Sequence, residues 1–185
     1  MRMTASRLDG FSYMRQQKLI LTLLIGSSLF SIFGRSYITL LPVIAKDVLR
    51  VGPSGLGFIA AAPGLGTIIG SLSLAVLGRV KVDKRILVAV MLGCAGSLFL
   101  FGASGRFATA FVMLVVVGGL TTVFDTLLNT LIQLAVTDAY RGRVMGVYGI
   151  TASGMREFGG MQAGFLAEWS SAPFTLEVGA IVVAV

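Results

Sequence analysis

The first scarcity in this chain is charge. Only 12% of its 185 residues are Asp, Glu, Lys or Arg, where soluble domains carry about 25%. Hydrophobic residues make up 56%, and the mean hydropathy is +0.92. So little polar surface cannot coat a water-soluble globule, and the solvent for most of it has to be lipid. Histidine is absent, and Cys94 is the single cysteine, set inside an apolar run. These absences argue against disulfide frameworks, zinc sites and Ser–His or Cys–His nucleophiles, each of which needs residues the chain does not have. Isolated acids without an Asp-rich motif do not suggest a metal-dependent membrane enzyme either. No enzymatic activity, cofactor or metal is expected. Residues 1–9 lack an apolar core ahead of a small-residue cleavage site. They do not read as a signal peptide, so the first span is expected to drive insertion.

What the chain does have is long apolar runs. A helix needs about 20 such residues to cross a ~30 Å hydrocarbon core. Residues 19–45, 55–77, 86–103, 108–135 and 144–167 each meet that need. A sixth run starts at residue 173 and is still apolar at 185. Those 13 residues reach only ~20 Å, so the sixth span reads as cut short. The connections are short and punctuated: Gly52-Pro53-Ser54-Gly55, Ser104-Gly105-Arg106 and Ser170-Ser171-Ala172-Pro173 all carry turn or helix-start residues. Pro63 is expected to kink the second span. The fold class expected is all-α: a polytopic membrane helix bundle, with residues 1–18 a basic segment and 19–185 one transmembrane unit.

A net charge of +7 raises the question of nucleic acid. Its distribution answers no, because the basic residues sit in short clusters between apolar runs, where anionic lipid headgroups are the better partner. Arg2, Arg7, Arg15, Lys18, Arg79, Lys81, Lys84, Arg85, Arg141 and Arg143 fall on one side, against Lys46, Arg50 and Arg106 on the other. That bias places the N-terminus in the cytoplasm, with Trp169 at the outer interface of a plasma (inner) membrane. Leu8, Phe11 and Met14 recur at helical spacing among Arg7, Arg15 and Lys18. Two readings stand there: a short helix lying on the membrane surface, or an ordinary basic flank.

Charged and polar residues inside the spans are the candidates for function. Asp125 lies ten residues from the end of the fourth run, so ~15 Å deep. A carboxylate at that depth is costly unless paired, hydrated or protonated. Asn129 and Gln133 continue its polar stripe at i+4 and i+8. Arg35 sits inside the first span, too deep to snorkel easily. Arg156 and Glu157 lie within the fifth. Adjacent helix positions point ~100° apart, so each is expected to seek a partner on another helix: Arg156 with Asp125, and Glu157 with Arg35. Functional and purely structural pairings both fit. Gly66 and Gly70, and Gly160 and Gly164, place small residues on one helix face for close helix packing.

Two stretches carry a family likeness. One runs from Leu41-Pro42-Val43 through Gly52-Pro53-Ser54-Gly55-Leu56-Gly57 to Ala61-Ala62-Pro63-Gly64-Leu65-Gly66. The other is Leu128-Asn129-Thr130-Leu131-Ile132-Gln133, followed by Asp138-Ala139-Tyr140-Arg141-Gly142-Arg143-Val144-Met145-Gly146. Together they resemble the second half of a major facilitator superfamily transporter, in the branch of enterobactin exporters and macrolide-efflux-like proteins. The usual loop between the second and third spans is present in degenerate form, from Gly78-Arg79 through Asp83-Lys84-Arg85.

The resemblance implies the six-helix C-terminal half of a twelve-helix transporter that holds small-molecule substrates between two halves. It also implies that the helix bearing Asp125 lines the central cavity. Arg35, Asp125, Asn129, Arg156 and Glu157 become the expected substrate and proton pathway, with Tyr37 and Phe33 either further substrate contacts or, as aromatics in a span more often are, packing residues. Asp138, Arg141, Gly142 and Arg143 become an expected cytoplasmic gating loop, or simply a topology-setting basic one. The function expected is proton-coupled efflux of amphipathic small molecules. The missing first half, in the same chain or as a separate subunit, would be a partner. A homodimer of half-size chains and a non-functional fragment are the alternatives.

Overall fold

A computed structural model describes residues 17–77 and 84–184, and among these every regular element is helical. The N-terminal amphipathic stretch and the degenerate loop at 78–83 lie outside the described residues. The helices are α1 (Lys18–Leu29), α2 (Tyr37–Val43), α3 (Pro53–Leu77), α4 (Lys84–Gly102), α5 (Phe107–Ala135), α6 (Asp138–Trp169) and α7 (Ala172–Ala184). π-helical turns, Phe30–Gly34 and Ile44–Val48, extend α1 and α2, so Lys18–Val48 forms one long span interrupted at Arg35 and Ser36.

Among the described residues, four helices are long and apolar enough to cross a membrane: Lys18–Val48, Pro53–Val76, Arg85–Gly102 and Phe107–Ala135. The chain is thus an all-α polytopic membrane bundle. Helix α6 has the length, at 32 residues or ~48 Å, but its glycines and charges dilute its apolar character. Helix α7 is apolar and has 13 residues. The outward surface agrees with lipid as solvent. Phe58, Ile68, Leu72, Val76, Leu134 and Ile150 are all exposed, and water would not tolerate so much contiguous apolar surface.

Hydroxyls inside the spans are satisfied locally. Thr22, Ser28, Thr67, Ser73, Ser97, Thr122, Thr126 and Thr130 each donate to the carbonyl four residues earlier, at 2.7–3.1 Å. In hydrocarbon an unpaired hydroxyl is expensive, and this back-bond is the nearest remedy.

Helix α5 is the hub of one side of the bundle, packing on α3 and α4, while α4 also packs on α7. The first span lies between α5 and α6. The α3–α5 seam brings backbone against backbone. A Cβ on Gly70 would stand 2.6 Å from the Gly119 carbonyl oxygen, and one on Gly66 or Gly118 would collide with the carbonyl of Val115 or Pro63. The second pair expected to pack, Gly160 and Gly164, divides. Gly160 meets Thr39, whereas Gly164 faces open space. It is Gly159, one residue earlier, that lies against the Ile32 backbone.

Helix continuity does not follow the breaker residues. Helix α3 stays helical through Pro63, whose carbonyl accepts the Thr67 hydroxyl at 3.1 Å. The interruption comes instead in the first span, where Gly34 and Ser36 flank Arg35, in keeping with the weakness of Gly/Ser pairs in helices. Further on, Asp138, Arg141, Gly142 and Arg143 form no loop. They are the opening turns of α6, which follows the extended Thr137. Asp138 there complements the positive helix end and pairs with Arg141 at 2.8 Å. Arg143 stands over the Tyr140 ring at 5.5 Å.

Candidate functional site

The polar centre of the bundle is built where the first span breaks. Leaving the α-helical path at Arg35 turns its side chain toward α5, and there Arg35 Nη2 donates to Asp125 Oδ1 in an ion pair. Below the pair, the Phe30 and Phe124 rings are tilted against each other, 4.2 Å between centres. The guanidinium carbon lies 5.9 Å from the Phe30 centroid, a cation–π separation. Aromatic packing therefore fixes the helix approach, and the ion pair sits on top of it. Among the described residues, Arg35 Nε is buried with no acceptor, so part of its hydrogen-bonding capacity is unspent. Asp125 keeps 42% of its side chain exposed.

Asp125 opens onto a cleft of about 300 Å³, lined also by Thr126, Asn129 and Thr130. Gln133 Nε2 donates to Asn129 Oδ1, so the polar stripe on α5 continues one turn beyond the cleft. Tyr148 from α6 lies near Ser27 on α1 and near the Arg35–Asp125 pair. Cys94 Sγ on α4 is 3.8 Å from Thr121 Oγ1 on α5. Tyr148 and Ser27 escaped the sequence reading because neither interrupts an apolar pattern strongly. Their signal is a hydroxyl on each of two helices that face each other, and that needs the tertiary fold.

The expected cross-helix pairings are overturned. Arg35, not Arg156, holds Asp125. Arg156 and Glu157 hold each other, at 3.1 and 3.2 Å to the same carboxylate oxygen. Long side chains span the angular gap between neighbouring positions, and both point outward from α6. Nor are they buried in the bundle: the Glu157 side chain is 77% exposed. Glu157 instead borders a second, open groove of about 570 Å³, shared with Thr39, Gly160, Met161, Gly164, Phe165 and Glu168. Tyr37, expected as a substrate contact, is buried in the core. The groups thus form two sets, a paired centre at Arg35–Asp125 and an exposed pair at Arg156–Glu157.

No group of histidine, cysteine, aspartate or glutamate side chains suited to a metal ion occurs among the described residues. Apolar helices of this length, joined by an ion pair between spans, define a multi-pass membrane protein. The chain belongs to the transmembrane secretion effector family of major facilitator-type transporters, whose sequence pattern matches residues 2–185. No curated protein and no solved structure matches it.

Proposed function

We propose that this chain is the C-terminal six-helix half of a secondary active exporter, in the enterobactin-exporter and macrolide-efflux-like branch. It moves amphipathic small molecules out across the plasma membrane in exchange for protons, with its N-terminus in the cytoplasm. The observation that carries the reading is the Arg35–Asp125 ion pair, joining a broken span to a continuous one. Protonating Asp125 removes its charge and with it the hold on Arg35. Arg35 then has to find new acceptors, and the interruption at Ser36 lets that half of the span turn. Deprotonation restores the pair. A bistable contact of this kind is what alternating access requires.

The exposed charges support a partner half. Arg156 and Glu157 lie midway along α6, where direct exposure to lipid is costly. A second six-helix half laid over this face converts the open grooves at Asp125 and Glu157 into a closed substrate path. On this reading Asn129 and Thr130 contact substrate, and the Asp138–Arg141 pair at the start of α6 latches the cytoplasmic side.

The test is extrusion of an amphipathic fluorescent dye from proteoliposomes under a proton gradient, with this chain joined to its partner half. Asp125→Asn and Glu157→Gln should each lower gradient-driven extrusion by about tenfold or more. Unchanged extrusion in both would overturn the proton-coupled reading. Full extrusion by this chain alone, purified as a dimer, would replace the two-half reading with a homodimer.

A further inference from the structure

A third cavity lies apart from both polar sets. It holds about 470 Å³ and is lined by one face of α1 (Lys18, Leu19, Thr22, Leu23, Gly26 and Ser27), with Leu87, Val88 and Met91 of α4 and Phe124 and Leu128 of α5. Its rim residues Lys18, Thr22 and Val88 are exposed, and its floor residues Leu23, Leu87 and Leu128 are buried. Below the mouth the walls are nearly all apolar. The Thr22 hydroxyl donates to the Lys18 carbonyl at 2.9 Å, and Ser27 is buried at the far end. The one charge in the lining is the ammonium of Lys18.

Length and charge select the occupant. From Lys18 to Ser27 the groove follows α1 over ten residues, a rise of ~14 Å, which matches the ~15 Å depth of a single leaflet's hydrocarbon. A polar substrate would find no partner along those walls, whereas an acyl chain needs none. Among the described residues the charge at the mouth is the Lys18 ammonium. Lys18 opens α1, whose first turn has no side-chain cap from Gln17. A helix start and an ammonium group together favour a phosphate.

We propose that this groove is a binding site for one anionic phospholipid of the adjoining leaflet, its chain lying between α1, α4 and α5 and its phosphate on Lys18. The proposal rests on the membrane fold alone and not on the transport reading. It also gives the lipid a lever. Phe124 walls the groove and stacks on Phe30, and the next residue along α5 is Asp125. An acyl chain there braces the aromatic pair that supports the ion pair.

The experiment is native mass spectrometry of the full chain in a neutral detergent, titrated with dioleoyl phosphatidylglycerol or dioleoyl phosphatidylcholine. A one-to-one adduct is expected at about tenfold lower phosphatidylglycerol than phosphatidylcholine. Lys18→Glu should erase that preference. Gly26→Leu should remove the adduct with both lipids; a Cβ at Gly26 meets nothing within 4 Å, so the branch starts in the open groove. Val88→Trp plugs the groove from the opposite wall and should act the same way, with an unchanged melting temperature as the check on folding. Equal retention of the two lipids by the wild type would overturn the proposal, as would an undiminished phosphatidylglycerol adduct in both plugged variants. If lipid binds only after residues 2–14 are deleted, the chain's own N-terminal segment fills the groove and the proposal falls.

Discussion

Two glycine-rich regions of this bundle use the same residue in opposite ways. Along the α3–α5 seam, Gly66, Gly70, Gly118 and Gly119 bring two backbones together so closely that a single methyl on three of them would overlap a carbonyl oxygen or crowd it to 2.6 Å. Along α6, Gly142, Gly146, Gly149, Gly154 and Gly164 face nothing within 4 Å, and Gly159 and Gly160 alone touch the first span. Glycine in the seam makes a contact that no other residue can make. Glycine on α6 leaves a surface bare, beside the exposed Arg156 and Glu157. A helix that keeps its face unfilled in the bundle is suited to receiving something else, which is why we propose that face as the seat of a partner half and a substrate path.

Substitutions can break this contrast. The largest effect should come from Gly118→Val or Gly66→Leu, which force the seam apart. We expect a loss of ~3 kcal/mol, seen as a much lower unfolding midpoint in detergent. Next is Arg35→Ala, which strands Asp125. A fully buried orphan charge costs ~3–5 kcal/mol, but Asp125 is partly exposed, so about 2 kcal/mol is the expectation. The double variant Arg35→Ala with Asp125→Ala should recover part of that loss in a thermodynamic cycle, and strict additivity would refute the pairing. Gly160→Val should cost only ~1 kcal/mol, because the atom it meets is the movable Thr39 hydroxyl at 2.7 Å. Smallest of all, Gly149→Ala should be neutral or should stabilise by up to ~1 kcal/mol through helix propensity. A large loss there would show that α6 is packed where we describe it as open.

Much of the architecture was legible in the chain itself, because bilayer thickness and apolar run length constrain helices so directly. The spans at 55–77 and 108–135 lie within two residues of α3 and α5. Helix starts were harder to place. The charged segment at Asp138–Arg143 looks like a loop by composition, yet an i,i+3 ion pair and a first-turn acid make it a helix start. The candidate charges could also be named, since each stands out against apolar neighbours. Their partners could not, because pairing depends on how the helices rotate about their axes. The Phe30–Phe124 contact sets that rotation for Arg35 and Asp125, and nothing in the one-dimensional pattern marks those two phenylalanines as neighbours. The interruption at Arg35 was similarly hidden, since Pro63 offers the stronger breaker signal and the helix absorbs it.

The hydroxyls that bond back to their own helix have a mechanical consequence. Because Thr22, Ser28, Thr122, Thr126 and Thr130 are satisfied within one span, turning or sliding that span past its neighbours breaks none of their bonds. Each helix travels with its polar accounts closed, like a bearing that carries its own lubricant. Among the described residues, polar resistance to movement then falls on links that cross between helices, such as Arg35 to Asp125 and Cys94 to Thr121.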